Sequence, residues 1–374
     1  MAWKVQKVES AKNLDRFIRF PHTLYPGDSP WVPPLIAERR KFLDSTKNPF
    51  FKHAEVEHFL AVDPRGDIAG RISAIQDHAH NEFHNERAGF FGMFECVHDQ
   101  AVSNLLLDTV FDWCRRRRLD TLRGPFNLST NHECGLLVEG FEVPPIFGIP
   151  YNPPYYAGLL EEWGLAKAKD LLSLELTQLQ WVPEYMQRAA SRILKRGRFT
   201  LRSIRMDEFE KELSRVWSVY DAAWNRNWGY VPMPQDEFLF AARQMKPILI
   251  PELCYIAEVA GDPAGFSLTL PDLNQTLKKM KGRLFPLGFL HFVFGRGKID
   301  AFRTLTLGVK PMYRKLGIDL LFYFRTYEWL IAHRARMCDQ SWILEDNQAM
   351  VNPILRLGGV IYKRHRIYER PCPS

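Results

Sequence analysis

No two cysteines of this chain lie close together, and no apolar run is long enough to cross a bilayer. Cys96, Cys114, Cys134, Cys254, Cys338 and Cys372 are scattered, so neither a zinc knuckle nor a disulfide framework is readable, and a reducing compartment fits. The opening residues, MAWKVQKVESAKN, have no apolar core of the kind a signal peptide needs. No segment approaches the roughly 18 uninterrupted apolar residues of a spanning helix. These absences lead to the expectation of a cytoplasmic protein. An acidic excess is missing as well: 50 Lys and Arg stand against 43 Asp and Glu, a net charge of +7. Anionic partners are therefore favoured, whether phosphates, nucleic acid or an acidic membrane surface.

What is present is an ordinary globular composition, 46% hydrophobic and 25% charged, which excludes disorder as a main theme. A chain of 374 residues exceeds one ordinary core, so two domains are expected. The first sixty or so residues are rich in proline and aromatics, as in LYPGDSPWVPPL and NPFF, and read as a wrapping arm that ends in turns. Beyond them VEHFLAVD and IAGRISAIQD flank the turn PRGD as a hairpin, and AGFFGMFECV is a third strand. Val102, Leu106, Val110 and Trp113 recur at helical spacing over 99–118. The four arginines ending that helix suit the negative pole of its dipole and read as solvated charge, not as a nucleic-acid contact. TLRGPFNLS is a further strand. TQLQWVPE closes the set, which puts a boundary between domains 1–178 and 179–374. The second half repeats the order: a helix over 210–225, a hairpin from LCYIAEVAG and GFSLTL, a central strand FRTLTLGV and a helix, then CDQSWIL, a short helix over 347–357 and VIYKRHRIYE.

The turn after FRTLTLGV carries the clearest chemistry. Leu305, Leu307 and Val309 alternate with Thr304 and Thr306, as in a strand covered on both sides. Beyond the turn Leu320, Phe324, Tyr327 and Ile331 form a helical stripe. Between them stands YRKLGID. A strand that turns sharply into a helix leaves the first helical N–H groups without partners, and with the helix dipole these make an anion site. Gly317 allows close approach, while Arg314 and Lys315 add charge. The plainer alternative is that many strand-to-helix turns hold a glycine and some basic residues.

VKPMYRKLGI resembles the acyl-CoA pyrophosphate loop of the GNAT superfamily of N-acetyltransferases, in which Arg or Gln is followed three residues later by Gly and two further on by Gly or Ala. Here these positions are Arg314, Gly317 and Asp319. The third departs from the pattern: a carboxylate there caps the helix yet repels a pyrophosphate, an effect Lys315 offsets. EDNQAMVNPILRLGG is similar to the family's second signature, with Asn347 opening a helix and Gly358 ending it. The family's tyrosine acid, seven residues after that Asn, is replaced by Ile354. The order of elements in the first half also resembles a GNAT fold, but its equivalent turn, ECVHDQAVSN, has neither the arginine nor the glycine. Tandem halves resemble the Fem peptidyl transferases. They also resemble a group of bacterial proteins bearing WVPPL, NPFF, GPFNLSTNHECGLL and PYNPPYY, to which bacterial ceramide synthases of the GNAT type are related.

The resemblance implies an α/β protein of two tandem GNAT-like halves, each a mixed, mainly antiparallel sheet flanked by helices, the first without cofactor. Acyl-CoA is expected in the second half against Leu307, Gly308, Val309, Arg314, Lys315, Leu316, Gly317, Ile318 and Asn347. An amine acceptor, sharpened to a lipidic amine of the sphingoid type, attacks the thioester; the donor is acyl-CoA or an acyl carrier protein, and no metal takes part. Two alternatives stand beside it: a Fem-like aminoacyl transferase using charged tRNA, or a non-catalytic CoA-binding scaffold.

Several residues are candidates for the remaining chemistry. An amine is mostly protonated at neutral pH, so a base is required. His132 and Glu133 in STNHEC are one choice, and Glu345, beside Asp346, is the other; their plain readings are a polar turn and a helix cap. A backbone N–H near Gly308 or Val309 would polarise the thioester oxygen if the strand splays or bulges there. His78, His80 and His84 in DHAHNEFH have the residue types of metal ligands but read as a solvated loop. Trp224, Trp228 and Tyr230 read either as lining a pocket or as packing between domains. The segment KKMKGRLFPLGFLHFVFGRGK is apolar in its middle and basic from Lys278 to Lys298. It reads as peripheral contact with the inner membrane face or as a buried strand with solvated ends.

Overall fold

A computed structural model describes residues 3–225, 227–284 and 288–373. The chain divides into two compact units: Met1–Leu171 with Asn274–Arg296 and Lys363–Ser374, and Leu172–Leu273 with Gly297–Tyr362. The sequence-based boundary at 178/179 makes no provision for the two later segments that belong to the first unit. Strands β1 to β7 are Lys4–Lys7, Ala54–Val62, Ile68–Asp77, Ala88–Cys96, Thr121–Gly124, Leu136–Glu139 and Ala166–Leu176. Strands β8 to β13 are Thr200–Ser203, Cys254–Val259, Asp262–Pro271, Ala301–Val309, Met337–Leu344 and Val360–Pro371.

In the first unit the sheet runs β1-β2-β3-β4-β5-β13, with β6 also paired to β13. All its pairings are antiparallel except β4 with β5, where Ala88, Gly89 and Phe90 pair with Thr121, Leu122 and Arg123. The helix Gln100–Arg116 makes that parallel crossover and buries Val102, Leu106, Val110 and Trp113 against the sheet. The expected wrapping arm contains regular structure. β1 pairs with β2, Lys4 opposite Val62, and the helix Ala11–Arg19 is capped by Ser10, whose Oγ accepts from Asn13 N at 3.2 Å. A further helix, Ile36–Phe42, follows WVPPL. These elements are too short to show a period, and β1 exists because a distant strand supplies its hydrogen bonds.

The second unit repeats the plan. Its strands run β8-β9-β10-β11-β12, antiparallel except β11 with β12. The helix Ile318–Ala332 makes the crossover, burying Ile318, Leu321, Phe322, Tyr327 and Leu330. Helix Phe209–Trp224 packs Phe209, Leu213, Val216 and Val219 against Ile256 and Phe266. A meander of antiparallel strands followed by one parallel crossover thus occurs twice, as β2-β3-β4-helix-β5 and as β9-β10-β11-helix-β12.

Candidate active site

β11 delivers the chain into the turn that the sequence singles out. Lys310 N donates to Ala264 O at 2.9 Å, and a 3-10 turn, Pro311–Tyr313, leads to Arg314. Lys315 at φ 73° and Gly317 at φ 85° are both left-handed. A side chain at 317 would be strained at that φ, and its Cβ would stand 2.5 Å from Ile193 Cδ1, so only glycine fits. The first helical bond is Leu321 N to Gly317 O, 3.2 Å, and no side chain caps the helix. The amides of Ile318, Asp319 and Leu320 are therefore left to an outside acceptor. Arg314 braces the turn: its Nη2 donates to Ala223 O at 3.1 Å and its Nε to Val309 O at 3.4 Å. Lys315 and Asp319 are exposed beside it.

The crossover helix of the first unit is built differently. Asp99 caps it, its carboxylate accepting from Ala101 N at 2.8 Å. The protein's own anion occupies the place that the second unit leaves open.

Beside the open turn, β11 and β12 part. Their parallel pairing runs from Ala301 opposite Met337 to Thr304 opposite Gln340 and ends there, although β11 continues to Val309 and β12 to Leu344. From residue 305 to 309 the β12-facing edge of β11 has no strand partner among the described residues. β10 still covers the other edge as far as Val309. Of the two distortions considered near Gly308 and Val309, the strand parts from β12 there but does not bulge there: the bulge lies at Leu305, because Leu268 pairs with Thr306 and Thr269 with Thr304. That extra residue puts Thr304 and Thr306 on opposite faces, not on the shared face their alternation suggests. Gly308 has another reason to be glycine. A Cβ there would stand 2.1 Å from Trp224 Cη2, and Trp224 is held by stacking on Tyr220, with centroids 5.0 Å apart.

A buried polar network marks the parting point, and most of it went unread in the sequence. Arg303 and Asp339, paired across the two strands, are 4% and 0% exposed. Arg303 Nε donates to Ser341 Oγ at 3.1 Å, Ser341 Oγ donates to Asp339 Oδ1, and Tyr362 OH donates to Asp339 Oδ2 at 2.7 Å. Burial and the Asp339 charge push the Tyr362 phenol well above its ordinary range. On the opposite face Gln340 Nε2 donates to Thr304 Oγ1 at 3.0 Å, and Thr304 meets Thr269 at 3.0 Å. Burial raises the Cys338 thiol to about 12. Near Cys338, the Tyr323 hydroxyl is buried without a hydrogen-bond partner, and burial pushes this phenol up. The signal available in sequence was the polar run DQS inside an otherwise apolar strand.

Parallel strands end at the same edge, so the turn after β11 and the residues after β12 share one end of this sheet. Glu345 and Asn347 follow Leu344 there. Asn347 opens the helix Gln348–Arg356 without a side-chain capping bond, and Gln348 Nε2 donates to Glu345 O at 3.3 Å. Ile354 is fully buried in the core.

His132 and Glu133 belong to the first unit. Arg39 grips Glu133 with two bonds, 2.8 and 3.2 Å, and Asn127 Nδ2 adds a third at 3.1 Å. Burial works against that carboxylate's charge, but Arg39 and Asn127 prevail and hold it below the usual range. His132 Nδ1 meets Ser129 Oγ at 3.1 Å, its ring lies edge-on to Phe42 and Phe50, and burial lowers it to about 4.

Two curated proteins match nearly the whole chain. Protein YghO of Escherichia coli is 34% identical over 367 residues, 96% of this chain and 93% of that protein. A bacterial ceramide synthase of Caulobacter vibrioides is 34% identical over 375 residues, 97% of this chain and 96% of that one. Among solved structures, a tandem GNAT protein from the clavulanic acid biosynthesis pathway superposes with a TM-score of 0.58 at 12% identity, covering 100% of this chain and 99% of its own. This chain belongs to the family of these two proteins and has the tandem GNAT fold. No protein-family model matches it.

Within this tandem GNAT protein the other sequence candidates have structural roles. Arg117 lies over the Trp113 ring at 3.8 Å and bonds Glu57 at 3.1 Å. His78 meets Glu55 at 3.3 Å, His80 pairs with Glu86, and no metal-ligand cluster occurs among the described residues. Trp224 packs on Tyr220 and Phe266. Tyr230 OH donates to Asp221 at 3.2 Å.

Proposed function

We propose that the second unit transfers an acyl group from acyl-CoA to an amine. The observation that carries this reading is the parting of β11 and β12 beside an uncapped turn of main-chain amides. A diphosphate accepts from the amides around residues 315–320, with Arg314 and Lys315 supplying charge. The thioester arm lies along the unpaired edge of β11, whose free N–H groups bond it as a strand would. The amine attacks the thioester carbon, the C–S bond breaks, and thiolate leaves. Glu345, at the same end of the sheet as the turn, takes the ammonium proton. Ile354 has no proton to give the thiolate. Tyr323 has one: its raised phenol stays protonated at neutral pH, and no partner holds its hydroxyl. Asp339 fixes Arg303, Ser341 and Tyr362 where the strands separate.

The Caulobacter relative is a ceramide synthase by name, which supports a lipidic amine as acceptor and peripheral contact with a membrane surface. The first unit, its helix capped by Asp99, takes no CoA. Incubating the protein with a bacterial lipid extract and acyl-CoA, followed by mass spectrometry, is expected to reveal an N-acylated lipid. Calorimetry is expected to show CoA binding by the wild type and none by an Arg314→Glu/Gly317→Glu variant. CoA binding without any product would favour a scaffold, and failure of both overturns the reading.

A further inference from the structure

Residues 274–296 leave the second unit's chain path between β10 and β11 and belong to the first unit. They form two helices, Asn274–Met280 and Gly288–Gly295; residues 285–287 lie outside the described residues. The segment is not the buried strand that its sequence allowed. It is anchored at several points. Asn274 Nδ2 donates to Pro145 O at 2.7 Å, and Gly282 O accepts from Ile36 N at 3.1 Å. Thr276, Leu277 and Met280 are buried.

The second helix turns its smallest residues inward. A Cβ on Gly295 would stand 2.5 Å from Thr276 Cγ2, and one on Gly288 would stand 2.0 Å from Arg283 O. At 100° per residue, Phe289, Val293, Leu290 and Phe294 then share the opposite face. They are 47%, 47%, 48% and 73% exposed. Four large apolar side chains side by side on the outward face of an anchored helix, with the exposed His291 at its edge, mark a contact surface.

The surroundings of that face identify its occupant. Lys278, Lys279, Lys281 and Arg283 precede the helix and Arg296 and Lys298 follow it, with no Asp or Glu from residue 273 to 299. Lys278, Lys279, Lys281, Arg283 and Lys298 are exposed. A second copy docked face to face would set these cations against themselves. An anionic bilayer supplies the opposite charge around an apolar interior.

We propose that this helix lies in the interface of an anionic lipid bilayer, Phe289, Leu290, Val293 and Phe294 entering the acyl boundary and the flanking lysines and arginines meeting the headgroups. The proposal deepens the acyltransferase reading, resting on it only for the lipidic nature of the acceptor. The test is flotation of the full chain with phosphatidylglycerol-containing vesicles and with phosphatidylcholine vesicles. The wild type is expected to float with the anionic vesicles only, and less at high salt. Leu290→Glu/Phe294→Glu and Lys278→Glu/Lys279→Glu/Lys281→Glu are each expected to weaken partitioning by about tenfold or more. Unchanged thermal melts and CoA calorimetry would show both variants to be folded. Absence of anionic-vesicle binding by the wild type, flotation of Leu290→Glu/Phe294→Glu like the wild type, or a dimer in light scattering that Phe294→Glu dissolves would each overturn the proposal. CoA binding lost from every version while wild-type flotation persists would instead overturn the acyltransferase reading alone.

Discussion

Gly308 and Gly317 sit nine residues apart on one strand-turn-helix unit, yet each is glycine for its own reason. Gly317 needs its left-handed φ and its clearance from Ile193; Gly308 needs space for the Trp224 ring. Gly308→Val should therefore act on stability, costing roughly 1–3 kcal/mol through overpacking. Chemical denaturation checks this, and Trp224→Leu in the same chain should recover much of the loss. Tyr323→Phe removes one buried oxygen from a half-buried side chain and leaves the ring packing in place. Its expected effect is on turnover, a drop of about tenfold to a hundredfold in kcat with little change in KM for acyl-CoA. An unchanged kcat would remove Tyr323 from the proton path. Glu345→Gln is expected to lower kcat and to shift the pH–rate profile, a shift that a capping role would not cause.

At the scale of elements, two crossover helices of one design differ in what stands at their N-cap. Asp99 fills the anion position in one, and Gly317 leaves it open in the other. Asp99→Ala should cost about 1 kcal/mol of stability, read from thermal or urea melts, by removing an N-cap. CoA binding by the second unit should be unaffected. The helices, the central strands and this turn were legible because their signals are local: period, cap and glycine within a dozen or so residues. The bulge at Leu305 was not. FRTLTLGV alternates correctly for a regular strand, and only its pairing with β10 reveals the extra residue that separates Thr304 from Thr306. The helix Gly288–Gly295 is a similar case, since GFLHFVFG is apolar on every side except at His291 and does not say which side faces its neighbour.

Over the whole molecule, charge and burial predict an acid-sensitive first unit. Burial, with the nearby Arg71 charge, lowers His58 to about 4, and burial likewise lowers His132 to about 4, both from 6.5. Between these values the unfolded chain binds more protons, so the stability these groups contribute is complete above pH 6.5 and is lost as pH falls toward 4. Each group's share is about 3 kcal/mol at the acid limit. Glu95, raised by burial, acts in the opposite sense just above its ordinary range. The comparison with His58→Asn isolates the histidine: that variant should lose less stability than the wild type between pH 7 and pH 5 in thermal melts. Equal losses would show that His58 is not the group responsible.

The amino-acid sequence by itself determined the central strands and crossover helices and their repeated order, the glycine-bearing anion turn, and the family whose loop it resembles, because each depends on residues close together along the chain. Only the tertiary structure decided where β11 and β12 separate. It alone gathered Arg303, Asp339, Ser341 and Tyr362 around that point, closed Glu133 into an ion pair with Arg39, and turned Phe289 and Phe294 outward. Those outcomes depend on which distant backbone or side chain arrives opposite each residue, and no local pattern records that.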